Sequence, residues 1–121
     1  MSKLTLDSVE WREFYFSDIF SQIYIAKSTD YNKVEEGNIP FVGRSSINNG
    51  LQGEVNIAPE KINKKDSLTI SMVGEPRCFF QPYNFTCSQN ILVLQNSYLS
   101  KENSQFLIPI INDYLTKKGY G

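Results

Sequence analysis

Arg44, Ser45, Ser46, Asn48 and Asn49 crowd into the stretch PFVGRSSINNG, residues 40–50. A guanidinium presents a planar fork of donors that fits two adjacent acceptors such as guanine O6 and N7, and a carboxamide fits adenine N6 and N7. Serine hydroxyls suit phosphate oxygens or base edges. The same residues make a good turn, because Asn and Gly tolerate positive φ. Composition alone leaves both readings open, a polar turn and a reading head.

Other polar groups are less pointed. Ser88, Gln89 and Asn90, in TCSQNI (residues 86–91), enter a presumed central strand, where buried amides need partners and satisfy loop backbone. Lys61, Lys64 and Lys65 are spaced for phosphate contact, although a lysine-rich loop is ordinarily just solvated. Asp7, Glu10, Glu13 and Asp18 read as a solvated face, and VGEPR (residues 73–77) as a strand-joining turn. There is no phosphate loop, dinucleotide fingerprint or metal-ligand cluster in the sequence, and no histidine. That removes the commonest general base and metal ligand, which argues against serine- or cysteine-centred triads and most zinc sites.

The balance of 12 basic against 13 acidic residues argues against a free-standing polyanion binder held mainly by phosphate attraction. It leaves room for a base-reading module whose electrostatic grip comes from another subunit. Cys78 and Cys87 are the only thiols, no signal-like apolar region follows MSKLTLDS, and no apolar run approaches a membrane span. The expectation is a cytoplasmic, reduced compartment, no membrane association, and both cysteines as small core or strand residues. The NFT acceptor at Asn84 carries little weight without secretion.

A chain of 121 residues is the size of one domain, and eight Phe, seven Tyr and one Trp favour a β-containing core. EWREFYF (residues 10–16) reads as a strand. SDIF follows as one helical turn capped by Ser17, with Asp18 at its start. Further strands are expected at 22–27, 39–42, 51–57, 67–73, 77–81 and 90–95, with 28–38 a solvated loop. Pro40 places its strand at an edge or at a strand start. Phe106, Leu107, Ile110, Ile111, Tyr114 and Leu115 then mark one broad helical face, with Ser100 or Ser104 as cap and Gly119 at the end. Pro109 conflicts with a helix interior at about 3 kcal/mol, so a kinked helix or one starting near Pro109 is expected. The fold class is α+β: a single domain, 1–121, of short mixed or antiparallel strands with a C-terminal amphipathic helix.

Taken in order, EWREFYFSDIF, GNIPFVGRSSINNGLQG, DSLTISMVGEPRCFFQPYNFTCSQNILVL and NSQFLIPIIND resemble the target recognition domain of the specificity subunit of type I restriction-modification systems, and of related type II subunits. In that family a Trp precedes a strand and a short turn, and a G-x-I-P strand leads into a polar loop with NNG. A glycine turn, an S-x-N/D segment and an N-x-x-F-L helix follow. The likeness spans residues 9–120, and the ordered combination carries it.

The resemblance implies a non-enzymatic module reading one half of a split target in double-stranded DNA. A DNA adenine methyltransferase subunit, using S-adenosylmethionine, and a restriction and motor subunit are the implied partners; the cofactors are theirs, and none is expected on this chain. A complete specificity subunit usually carries two such domains joined by long helices. This chain has one domain and no long helix after Gly121, which implies half of a subunit working as a homodimer, or a fragment. The expected DNA contacts are Arg44, Ser45, Ser46, Asn48 and Asn49, with Lys27, Arg77 and Gln89 secondary. Trp11, Phe14, Phe16, Ile19, Phe20, Ile39, Phe41, Leu92, Leu94, Phe106 and Ile110 are the expected core. A competing reading is a non-catalytic interaction or mimic protein that binds the methyltransferase subunit without reading DNA. A small hydrolase is a distant third, because the usual proton carrier is missing.

Overall fold

The computed structural model describes residues 19–118 and the backbone of two short strands before them. Those strands, β1 (Glu10–Trp11) and β2 (Phe14–Tyr15), pair antiparallel with Trp11 opposite Phe14, so the single strand expected across 10–16 is replaced by two strands that pair with each other. Phe16, the Ser17 cap, Asp18, Gly119 and the side chains of Trp11 and Phe14 lie outside the described residues.

The remaining elements are β3 (Gln22–Ile25), β4 (Glu36–Val42), β5 (Leu51–Val55), β6 (Ser67–Ser71), β7 (Cys78–Gln81), β8 (Thr86–Cys87), β9 (Ile91–Gln95) and α1 (Lys101–Lys118). They form two sheets. One is wholly antiparallel in the order β3-β9-β6-β7. The other runs β5-β4-β8, antiparallel between β4 and β5 and parallel between β4 and β8. This is the small α+β domain expected from the sequence.

Strand β9 explains how the layers hold together. Successive side chains of a strand point to opposite faces. Leu92 and Leu94 therefore join Leu68, Ile70, Ile111 and Leu115 in a core beneath α1. Ile91 and Val93 face the other way and join Val42, Phe85 and Cys87 of the second core. An apolar strand buried on both faces is what ILVL requires. Both cysteines are free and buried. Among the described residues no helix is long and apolar enough to cross a membrane.

Several boundaries differ from the sequence reading. Strand β4 begins at Glu36, inside the stretch expected as solvated loop, so Pro40 is neither at its start nor on an outer strand. Strand β8 pairs only with Phe41 and Val42, which leaves Pro40 without a strand partner on that side and its missing N–H harmless. Strand β9 starts one residue late because Asn90 has φ 64°. Helix α1 begins well before Pro109 and continues through it. Its cap is Ser100: the Asn103 N–H donates to Ser100 Oγ at 3.2 Å while the Ser100 N–H donates to Asn103 Oδ1 at 2.8 Å, a reciprocal box.

Phe106 is not core but 75% exposed. At 3.6 residues per turn it sits about 180° around the helix from buried Leu115. The buried stripe runs through Ser104, Ile111 and Leu115, with Leu107, Ile108, Ile110 and Tyr114 half-buried beside it. Ile39 is likewise half-buried rather than interior.

Candidate nucleic-acid interface

The polar loop joins β4 to β5 and is closed at its base, where the Gly43 N–H donates to Gly50 O at 2.7 Å. Asn48, Asn49 and Gly50 have φ of 54°, 57° and 75°, three left-handed residues in succession. The left-handed region costs an ordinary residue about 1–2 kcal/mol, and only Gly and occasionally Asn or Asp visit it routinely, normally one at a time. The surrounding protein holds this conformation. Asn49 Nδ2 donates to Phe80 O at 3.0 Å and to Gln81 Oε1 at 3.4 Å. In return, Gln81 Nε2 donates to Asn49 O at 3.0 Å and to Thr69 Oγ1 at 3.1 Å. Gln81 and Thr69 are both buried, so the loop is bolted to the interior of the first sheet.

The five loop candidates therefore separate by geometry. The carboxamide of Asn49 is engaged with β7, and Ser45 Oγ closes its own turn with the Ile47 N–H at 3.2 Å. Arg44 and Asn48 are exposed and Ser46 half-buried at the outer surface. Among the described residues Arg44 has no ion pair; Asn48 makes only a long 3.5 Å bond to Leu51 O. Between them Ile47 is 72% exposed, an apolar tip on a polar loop. The sequence reading passed over Ile47, although a lone large apolar side chain among amides was a visible signal.

Arg44 also lines a cleft of about 500 Å3 with residues 28–33, Gln52, Ser88 and Gln89. Two of the sequence candidates, Arg44 and Gln89, meet there. Ser88, singled out with Gln89 in the sequence, lines it too, whereas the wall at 28–33 escapes a sequence reading because 28–38 looks like ordinary solvated loop. Residues 31–33 instead form a 3-10 turn capped by Asp30, whose carboxylate accepts from the Asn32 N–H at 3.0 Å. The Tyr31 ring meets Phe41 edge-on with centroids 5.0 Å apart, and its hydroxyl donates to Gln52 O at 3.3 Å. A Cβ on Gly53 would run into that hydroxyl, so this glycine makes room for Tyr31.

Lys27 lies apart, on a smaller hollow shared with Lys61 and Glu60. Lys61 Nζ donates to Ser28 O at 3.3 Å. Arg77 is paired with Glu75 at 2.7 Å in the turn between β6 and β7. Lys64 and Lys65 line a third hollow with Asn84, Gln95 and Asn96, whereas Arg44 lines none of the second or third.

A family model for the type I restriction modification DNA specificity domain matches residues 8–121. The chain belongs to that family. No curated protein and no solved structure matches it. A DNA specificity domain of restriction-modification systems is a recognition module rather than a catalyst. Its two thiols are inert by burial: Cys78 is pushed well above the usual thiol range and Cys87 up to about 12, in both cases by desolvation. The Tyr24 phenol is also raised, chiefly by burial and then by neighbouring Cys87, with a Gln95 hydrogen bond opposing. Tyr24 and Cys87 sit in a structural network of the specificity domain with Asn63 and Gln95. The Tyr24 hydroxyl donates to Asn63 Oδ1 at 2.8 Å, and Gln95 Nε2 donates to Ser67 Oγ at 2.9 Å.

Proposed function

We propose that this specificity domain reads one half of a split target in double-stranded DNA and directs an adenine methyltransferase and a restriction and motor subunit to it, within the cytoplasm. The observation that supports this reading most is the loop between β4 and β5. Its backbone is preset by Asn49 and Gly50, and it holds Arg44, Ser46, Ile47 and Asn48 outward beside the cleft that contains Gln89. Arg44 is assigned to a guanine edge, Asn48 to an adenine edge and Ile47 to a thymine methyl group. Ser45 and Asn49 shape the loop, and Lys27 and Arg77 contribute at most charge. A second copy of the domain, or a second domain of a longer chain, reads the other half.

Selection from random duplex DNA, with and without a modification methyltransferase subunit, tests the reading. An enriched half-site is expected, and no enrichment in either arm would sink it. Arg44→Ala should weaken binding to the selected duplex by about 1–3 kcal/mol and relax one base position. An equal loss on every sequence would make Arg44 a phosphate contact instead.

Phe106 is exposed on the outer side of α1, which supports a protein-facing role for that side, and we assign the methyltransferase contact to it. Phe106→Ala should leave unfolding within about 0.5 kcal/mol of the parent, as surface changes do. Its capture of a methyltransferase subunit, measured by titration calorimetry, should weaken. The reading of this chain as a mimic that occupies the methyltransferase without touching DNA predicts the same Phe106 result. It differs in predicting no enriched half-site.

A further inference from the structure

Two residues that line the cleft, Thr29 and Ser88, carry buried hydroxyls. Thr29 is 7% exposed, and Thr29 Oγ1 and Ser88 Oγ are both hidden from water without a hydrogen-bond partner among the described residues. Buried polar groups are ordinarily paired, so each is a standing cost, which a ligand removes once rotation about χ1 turns the hydroxyl into the cleft. Their positions are related by the fold. Ser28 bridges Cys87 in parallel, and Cys87 in turn pairs with Val42 in parallel. Thr29, Ser88 and Gly43 are each the next residue beyond that shared rung, so alternation turns them toward the same face. A Cβ on Gly43 would collide with the carboxamide of Gln52, which this glycine admits to the cleft wall.

Around the hydroxyls stand Arg44 and Lys33 against one carboxylate, Asp30, which is engaged with the Asn32 N–H. The set offers hydroxyl donors and one net positive charge. An acceptor-only ligand with one negative charge fits it.

We propose that the cleft seats one phosphodiester of the DNA backbone, held by Thr29, Ser88 and Lys33, and that this seat fixes the register from which Arg44 reaches its base. The proposal rests on the DNA-reading function above and names a contact that function does not require.

The test compares the parent chain with the double variant Thr29→Val, Ser88→Ala and with Lys33→Gln, on the selected duplex and on random duplex across a range of salt. The double variant should bind every duplex about tenfold more weakly, the scale of hydrogen bonds to a charged group. It should melt no lower than the parent, because it deletes unpaired hydroxyls. Lys33→Gln should lower the slope of log affinity against log salt by about 0.9, the contribution of one phosphate, with base preference unchanged. Thr29→Ser, which keeps the hydroxyl, should retain binding. Undiminished affinity in the double variant, or altered base preference with an unaltered salt slope, would overturn the seat. So would inorganic phosphate raising the melting temperature of the parent but not of the variant at matched ionic strength, which would mark a site for free anion. A parent chain with these salt effects but no base preference would overturn the half-site reading alone. No DNA binding at low salt would overturn both.

Discussion

Asn49→Ala is expected to lower the unfolding free energy by about 2–5 kcal/mol. Two contributions add. The substitution strips both donors from Phe80 O and Gln81 Oε1 and leaves buried Gln81 short of a partner, at about 1–3 kcal/mol. It also forces a Cβ-bearing residue without a compensating side-chain bond to hold φ 57°, at about 1–2 kcal/mol. Asn49→Gly separates them: it removes the bolt but meets the backbone demand, and should cost only about 1–3 kcal/mol. Urea unfolding of the two variants checks the difference. The same pair tests the role of the side chain in recognition. A bolt predicts that affinity falls on all duplexes in step with lost stability. A base contact predicts one altered position in the selected half-site with stability unchanged, and would return Asn49 to the reading set.

Alkaline pH should unfold this domain unusually early. Cys87 stays protonated in the folded state up to about 12 against an ordinary value of 9.0, and fully buried Cys78 is raised as well. Between those limits the unfolded chain has released protons that the folded chain retains. Stability is therefore fully present below pH 9 and falls as pH rises, by about 1.4 kcal/mol per pH unit for each thiol. Two thiols acting together over one unit consume a large part of the 5–15 kcal/mol a typical domain possesses. Urea midpoints measured from pH 8 to 11 should fall steeply in the parent and less steeply in Cys78→Ala and Cys87→Ala. Parallel profiles in all three would show that the thiols are not held neutral by the fold.

The sequence exposed the architecture where apolar periodicity was strong and hid it where partners were distant. ILVL could be placed centrally because a strand apolar on both faces has few other homes. EWREFYF looked like one strand because its letters carry β propensity, and nothing local says that Trp11 pairs with Phe14. Phe106 begins a plausible helical face in the sequence, but only the sheet beneath α1 decides which part of a broad apolar arc is covered. The site divides similarly. The polar loop was visible, yet its division of labour depends on Gln81, thirty-two residues away in sequence. The cleft wall at 28–33 gave no warning, since Thr29 becomes a buried, unpartnered hydroxyl only once Cys87 pairs beside it.

The double closure of the β4–β5 loop, by Gly43 with Gly50 and by Asn49 with β7, has a consequence for how such a domain changes its target. The strain and the anchoring are concentrated in the last three residues before β5, while Arg44 and Ile47 lie outside both cores. Grafts of equal length across 44–47 are thus insulated from the energetics of folding, provided the terminal Asn-Asn-Gly run is kept. On the proposed reading of this loop, retargeting becomes a change of vocabulary on a fixed grammar: new bases can be addressed without renegotiating the scaffold that presents the words.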